Sequence, residues 1–111
     1  MKLLIAGSRG ITDFNLAPFI PEDVDVILSG GAGGVDTLAE KYADTNRISK
    51  LILRPDYKGS KNPKAESLRR NDKLIAMCDE ALIIWDGKSR GTGYTVRGLI
   101  AAGKPFSVRF V

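Results

Sequence analysis

The chain contains no histidine and a single cysteine, Cys78, among its 111 residues. Without histidine the commonest catalytic base and metal ligand are missing, which argues against a histidine-based triad or a zinc site. A lone cysteine excludes an internal disulfide, and Cys78, near the end of an apolar helical stretch, reads as a small buried hydrophobe. No metal site is expected, and the cytoplasm is the default compartment. Long hydrophobic runs are lacking too, so no membrane span and no membrane association are expected. The opening Met1-Lys2-Leu3-Leu4-Ile5-Ala6 is too short in apolar residues for an export signal and reads as a first strand. Nor is there a large excess of charge of one sign. Lys and Arg number 17 against 13 Asp and Glu, a net charge of +4. That balance suits an anionic ligand but falls short of the basicity that marks a nucleic-acid binder.

Glycine, by contrast, is plentiful and concentrated. Three segments each follow an apolar run and precede a helical one: Gly7-Ser8-Arg9-Gly10, Ser29-Gly30-Gly31-Ala32-Gly33-Gly34-Val35-Asp36, and Asp86-Gly87-Lys88-Ser89-Arg90-Gly91-Thr92. Loops of this kind suit phosphate, because a backbone without Cβ approaches a ligand closely and the first amides of the next helix lack partners.

The intervening pattern supports a single domain over residues 1–111. Apolar runs at Leu3–Ala6, Val24–Leu28, Leu51–Leu53, Ala81–Trp85 and Phe106–Val111 have the character of parallel strands covered on both faces. Val35–Asn46, Ala65–Met77 and Thr92–Ala102 carry helical spacing, the last ending at Gly103 before Pro105. Pro18 and Pro21 limit residues 13–20 to an irregular crossover. Lys58–Lys64 is basic and rich in helix breakers, and is expected to be a mobile loop. Alternating strands and helices argue for an α/β fold with one open five-stranded parallel sheet. With the assumed strand order 3-2-1-4-5, the three glycine loops become neighbours at the carboxyl edge, where such sheets bind ligands.

Taken together, Gly-Ser-Arg after the first strand, the Ser-Gly-Gly-Ala-Gly-Gly-Val-Asp-Thr-Leu-Ala-Glu segment, Arg54-Pro55-Asp56-Tyr57, Arg70-Asn71 and Trp85-Asp86-Gly87-Lys88-Ser89-Arg90-Gly91-Thr92 resemble the SLOG superfamily over nearly the whole chain. The likeness is to its small stand-alone YspA/YpsA-related branch. It implies a Rossmann-like three-layer sandwich, a pocket for a nucleotide or an ADP-ribose-like derivative, and a homodimer through the helices flanking the sheet. Relatives include Lonely Guy phosphoribohydrolases and the single-stranded-DNA-binding DNA processing protein A, so the resemblance implies a ligand class rather than a reaction. Arg70 falls at the arginine position of the hydrolases. Gly91-Thr92-Gly93-Tyr94-Thr95 matches their Gly-Thr-x-x-Glu motif with Thr95 at the glutamate position, and threonine cannot serve as a carboxylate base.

The expected ligand-binding set is therefore Gly7, Ser8, Arg9, Gly30, Gly31, Ala32, Gly33, Gly34, Asp36, Arg70, Asn71, Asp86, Ser89, Gly91 and Thr92. Arg9 and Arg70 would neutralise phosphate, and Asp36 or Asp86 would hold ribose, although Asp36 equally suits a helix cap. Catalytic residues stay unassigned, with Arg70 and Asp86 as candidates and Glu66 behind them. Mg²⁺ is expected only as the companion of a polyphosphate. Trp85 is read as a core or interface aromatic and Tyr57 as a stacking partner for a base. An alternative role in binding single-stranded nucleic acid would draw on Lys58, Lys61 and Lys64. Truncating Arg70 to alanine is expected to weaken nucleotide binding about tenfold or more with little change in melting temperature.

Overall fold

The computed structural model describes residues 1–59 and 61–111. Ser60, inside the basic segment 58–64 expected to be mobile, lies outside the described residues. Five strands alternate with three helices: β1 (Lys2–Gly7), β2 (Val26–Ser29), α1 (Val35–Thr45), β3 (Ser49–Ile52), α2 (Pro63–Met77), β4 (Glu80–Trp85), α3 (Arg90–Ala102) and β5 (Phe106–Phe110). All pairings are parallel, in the order β3-β2-β1-β4-β5. The expected α/β architecture, Rossmann-like with strand order 3-2-1-4-5, is the one observed.

Period-two alternation in the central strands sends successive side chains to opposite faces. Leu3 and Ile5 of β1, with Leu82 and Ile84 of β4, pack against Val35, Ala39 and Ala43 of α1 and against Ile11 and Leu16. Leu4, Ala81 and Ile83 face the other way and meet Leu74, Ile75 and Cys78 at the end of α2 and Leu99 of α3. Cys78 is fully buried, as its apolar surroundings suggested. No helix among the described residues is long and apolar enough to cross a membrane.

The structure corrects several boundaries. The edge strand β3 begins at Ser49 rather than Leu51, because exposed Ser49 and Lys50 pair with Val26 and Ile27 on one side only. Coverage on both faces therefore holds for the inner strands, while most of β3 and β5 is exposed. Residues 17–19 form a single 3-10 turn, the irregular crossover expected from the prolines. Helix α2 starts at Pro63, two residues before the expected Ala65, since the Asn62 side chain accepts the Ala65 amide at 3.2 Å and proline suits the first helical position. The end of the basic segment is thus helical.

The progression of strand order reverses between β1 and β4, all strands staying parallel. Chain from β1 to β3 runs to one side and β4 to β5 to the other, which opens a crevice beyond the carboxyl ends of the two central strands.

Candidate functional site

Two adjoining cavities occupy that crevice. The first, about 380 Å³, is walled by the β1 loop (Gly7, Arg9, Gly10), the start of α1 (Ala32, Asp36), the start of α3 (Ser89, Gly91, Thr92, Thr95) and one face of α2. The second, about 330 Å³, lies between residues 30–33 and Arg54, Pro55 and Tyr57. Arg9, Ala32 and Arg70 belong to both walls.

The loop after β2 owes its shape to absent side chains. A Cβ on Gly30 would lie 2.7 Å from Nη1 of Arg70, and one on Gly31 would lie 2.9 Å from Cγ of Arg54. Gly34 has φ +67° and is crossed by the Ser8 and Arg9 carbonyls, where a Cβ would overlap them. Gly33 differs, being exposed with nothing within 4 Å of a Cβ position. The glycines that the sequence marks for close ligand approach therefore divide. Gly30, Gly31 and Gly34 admit other parts of the protein, and Gly33 leaves open space.

Arg70 is 7% exposed. Its Nη1 donates to the carbonyl oxygens of Gly30 and Leu53, and its Nε donates to Oδ1 of Asn71 at 2.8 Å. Nη2 has no acceptor among the described residues. A buried guanidinium fixed through Nε and Nη1 thus forms part of the wall of both cavities. Burial lowers its pKa, while the nearby Asp36 carboxylate acts in the opposite sense. Arginine retains its charge under such conditions. Because truncation would break this buried network, these bonds lead to the opposite expectation for Arg70→Ala, a lowered melting temperature.

Asp36 is 6% exposed in the first turn of α1. Its Oδ2 accepts the Ala32 amide at 3.1 Å, while Oδ1 has no donor among the described residues. The carboxyl stabilises its own loop and also lines the first cavity. Burial raises its pKa above the ordinary value, against the Ala32 hydrogen bond and the attraction of Arg70.

Two helix starts converge here with open amides. Neither α1 nor α3 has a side-chain cap, and the amides of Gly33, Gly34, Gly91 and Thr92 have no acceptor among the described residues. The Ser89 hydroxyl, which could have capped α3, turns back to Asp86 and Ser8. The Gly91 and Thr92 amides open onto the first cavity with Arg9, Lys64 and Arg70, and Gly33 borders the second, whose wall shares Arg9 and Arg70.

Three expected residues stand off the cavity walls. Ser8 is 1% exposed. Its amide extends the β1–β4 ladder to Ile84, its carbonyl accepts from Val35, and its hydroxyl accepts the Asp86 amide at 3.0 Å. Gly34 lies beneath the Ser8–Arg9 backbone. The Asp86 carboxylate accepts from the amides of Lys88 and Ser89, both at 2.8 Å, and from the Ser89 hydroxyl. These bonds hold its pKa at about 2, so it stays ionised and is a feeble proton acceptor at neutral pH. Glu66 lies on α2 away from both cavities, paired with Arg69. Thr95 is buried, and its hydroxyl donates to the Gly91 carbonyl one turn back at 3.1 Å. Every other expected residue lines a cavity, Gly30, Gly31 and Gly33 only the second.

Sequence reasoning left Arg54 and Ser67 out of the site. Lys64, Ser67, Leu68 and Asn71 recur at i, i+3, i+4 and i+7, which gives α2 a stripe facing the first cavity. That mixed polar stripe was the available signal. Trp85 is half-buried, stacked on Phe110 with centroids 5.7 Å apart, and bonded through Nε1 to the Ser89 carbonyl. It supports the α3 loop from behind. Comparison of the chain with protein-family models, curated proteins and solved structures returned no match.

Proposed function

We propose that the protein binds a nucleotide or a nucleotide-derived ligand of ADP-ribose type, with phosphate seated between the starts of α1 and α3. The observation that carries this reading is Arg70, buried at 7% exposure, fixed through Nε and Nη1, and lining both cavities of the crevice. The uncapped amides at Gly33, Gly91 and Thr92, all on cavity walls, add donors of the kind that anions favour. Asp36 supplies a carboxylate oxygen for ribose hydroxyls. The SLOG-like order of motifs along the chain agrees with this ligand class. A charge-assisted hydrogen bond contributes roughly 1.5–3 kcal/mol, so two guanidinium contacts, the amides and a stacked base together reach micromolar affinity, about 8 kcal/mol.

A phosphoribohydrolase reading has less support. Asp86, its leading acid, is taken up by its own loop, and the carboxylate that does line the first cavity is Asp36. Calorimetric titration with AMP, ADP-ribose and a single-stranded oligonucleotide tests the proposal. Saturable micromolar binding of AMP or ADP-ribose is expected, without release of free base. Binding of the oligonucleotide alone, falling steeply with salt, would replace the reading with the nucleic-acid alternative.

A further inference from the structure

The two cavities have a feature that a mononucleotide leaves unexplained. They are similar in size, about 380 and 330 Å³, and they share Arg9, Ala32 and Arg70 at their boundary. A nucleotide seated with its phosphate at that boundary fills one of them. The other has its own equipment. Arg54 lies with its stem across Gly31, where a Cβ would meet its Cγ at 2.9 Å and its Nε at 3.1 Å, so its course depends on that glycine. Tyr57 contributes a half-exposed ring whose hydroxyl is bonded to Ser67 of α2 at 3.0 Å. Among the described residues no carboxylate lines this second cavity, whereas the first contains Asp36.

We infer that the ligand has two ring-bearing arms joined through phosphate: a dinucleoside-type diphosphate whose linker lies at the shared boundary, one arm in each cavity. The inference rests on the nucleotide reading above and names the ligand class within it. The linking phosphates fall to the boundary because the two arginines common to both cavities, Arg9 and Arg70, lie there. The arm in the first cavity meets Asp36 and the α2 stripe. The arm in the second meets Tyr57, which offers an aromatic face, and Arg54, whose planar guanidinium stacks on rings as readily as it pairs with oxygen. Arg54 and Tyr57 are then specificity residues, selecting two-armed ligands over mononucleotides.

The test is calorimetric titration with the four ribonucleoside monophosphates, ADP, and the symmetric dinucleoside diphosphates, which carry nearly the same net charge as the monophosphates. At least one dinucleoside diphosphate should bind tenfold or more tightly than its monophosphate. Arg54→Gln, at an exposed side chain, should remove most of that advantage, and Tyr57→Ala should act in the same direction. Equal affinities for the two classes would overturn the inference while leaving the nucleotide reading intact. So would an advantage that survives both substitutions, or ADP matching the dinucleoside compound, since the second cavity would then take only a phosphate. Absence of binding by every compound would overturn both.

Discussion

The loops after β2 and after β4 leave the same sheet edge and open helices on the same crevice, yet they are stabilised by opposite means. After β2, side chains are missing, and Arg70, Arg54 and the Ser8–Arg9 backbone occupy the space beside Gly30, Gly31 and Gly34. After β4, side chains fill the loop: Asp86 gathers two amides and the Ser89 hydroxyl, with Ser8 beneath. The contrast reaches the two acids. Asp36 is buried, with no donor to one oxygen among the described residues and its pKa raised by burial. Asp86 is exposed, surrounded by donors, and held at about 2. A glycine-rich loop can thus bring charge into a site by making room for it. A conspicuous carboxylate in a neighbouring loop can be wholly committed to shaping that loop.

Substitutions can break this comparison at graded strength. The largest effect is expected from Gly34→Ala, where positive φ and the carbonyls of Ser8 and Arg9 leave no room for a methyl group. It should cost about 3 kcal/mol or more by denaturant unfolding. Gly33→Ala, one residue earlier and in open space, should be nearly neutral for stability. Equal costs at the two positions would refute the division between packing and open glycines. Next comes Arg70→Met, which keeps bulk but removes the bonds to Gly30 and Leu53. A loss of about 2–3 kcal/mol in stability is expected, with nucleotide affinity down about tenfold or more.

Asp86→Ala should lower the melting temperature at neutral pH and leave nucleotide affinity unchanged. The native carboxylate has its pKa depressed from 3.8 to about 2, so its contribution is complete above 3.8 and disappears as pH falls through that window. The gap between native and variant melting temperatures should close over the same range. Smallest, and opposite in sign, is Asp36→Asn. A carboxyl whose pKa is raised above 3.8 favours the folded state when protonated, so native stability declines as pH rises from 3.8 through the raised value. The amide variant has no such penalty and should melt slightly higher at neutral pH, with the difference vanishing toward pH 3.8. If it binds nucleotide as well as the native chain, Asp36 does not hold ribose.

The architecture was legible because inner strands such as Leu3–Ala6 and Ala81–Trp85 are unbroken apolar runs and the helices between them keep a regular spacing. The register of β3 was hidden by Ser49 and Lys50, polar residues that an edge strand tolerates. The crevice that forms the candidate site could be placed from three glycine loops and the assumed strand order, but the division of labour among its residues could not. Whether a glycine faces ligand or protein depends on groups remote in sequence: the Arg70 guanidinium beneath Gly30 comes from 40 residues away. A charged residue in a helix also reads as surface, and nothing local marks Arg70 as buried. Ser8 reads as a free hydroxyl after a strand, whereas its amide continues the ladder to Ile84 and draws the side chain inside.

The central claim is that phosphate sits between the starts of α1 and α3 against Arg70. The most direct measurement is an AMP titration followed by backbone amide NMR at neutral pH. Saturable shifts should be largest at Gly33, Gly91 and Thr92 and should disappear in Arg70→Met, provided that its spectrum shows a folded chain. Shifts confined to the Lys58 and Lys61 region, or undiminished in the variant, would contradict the account.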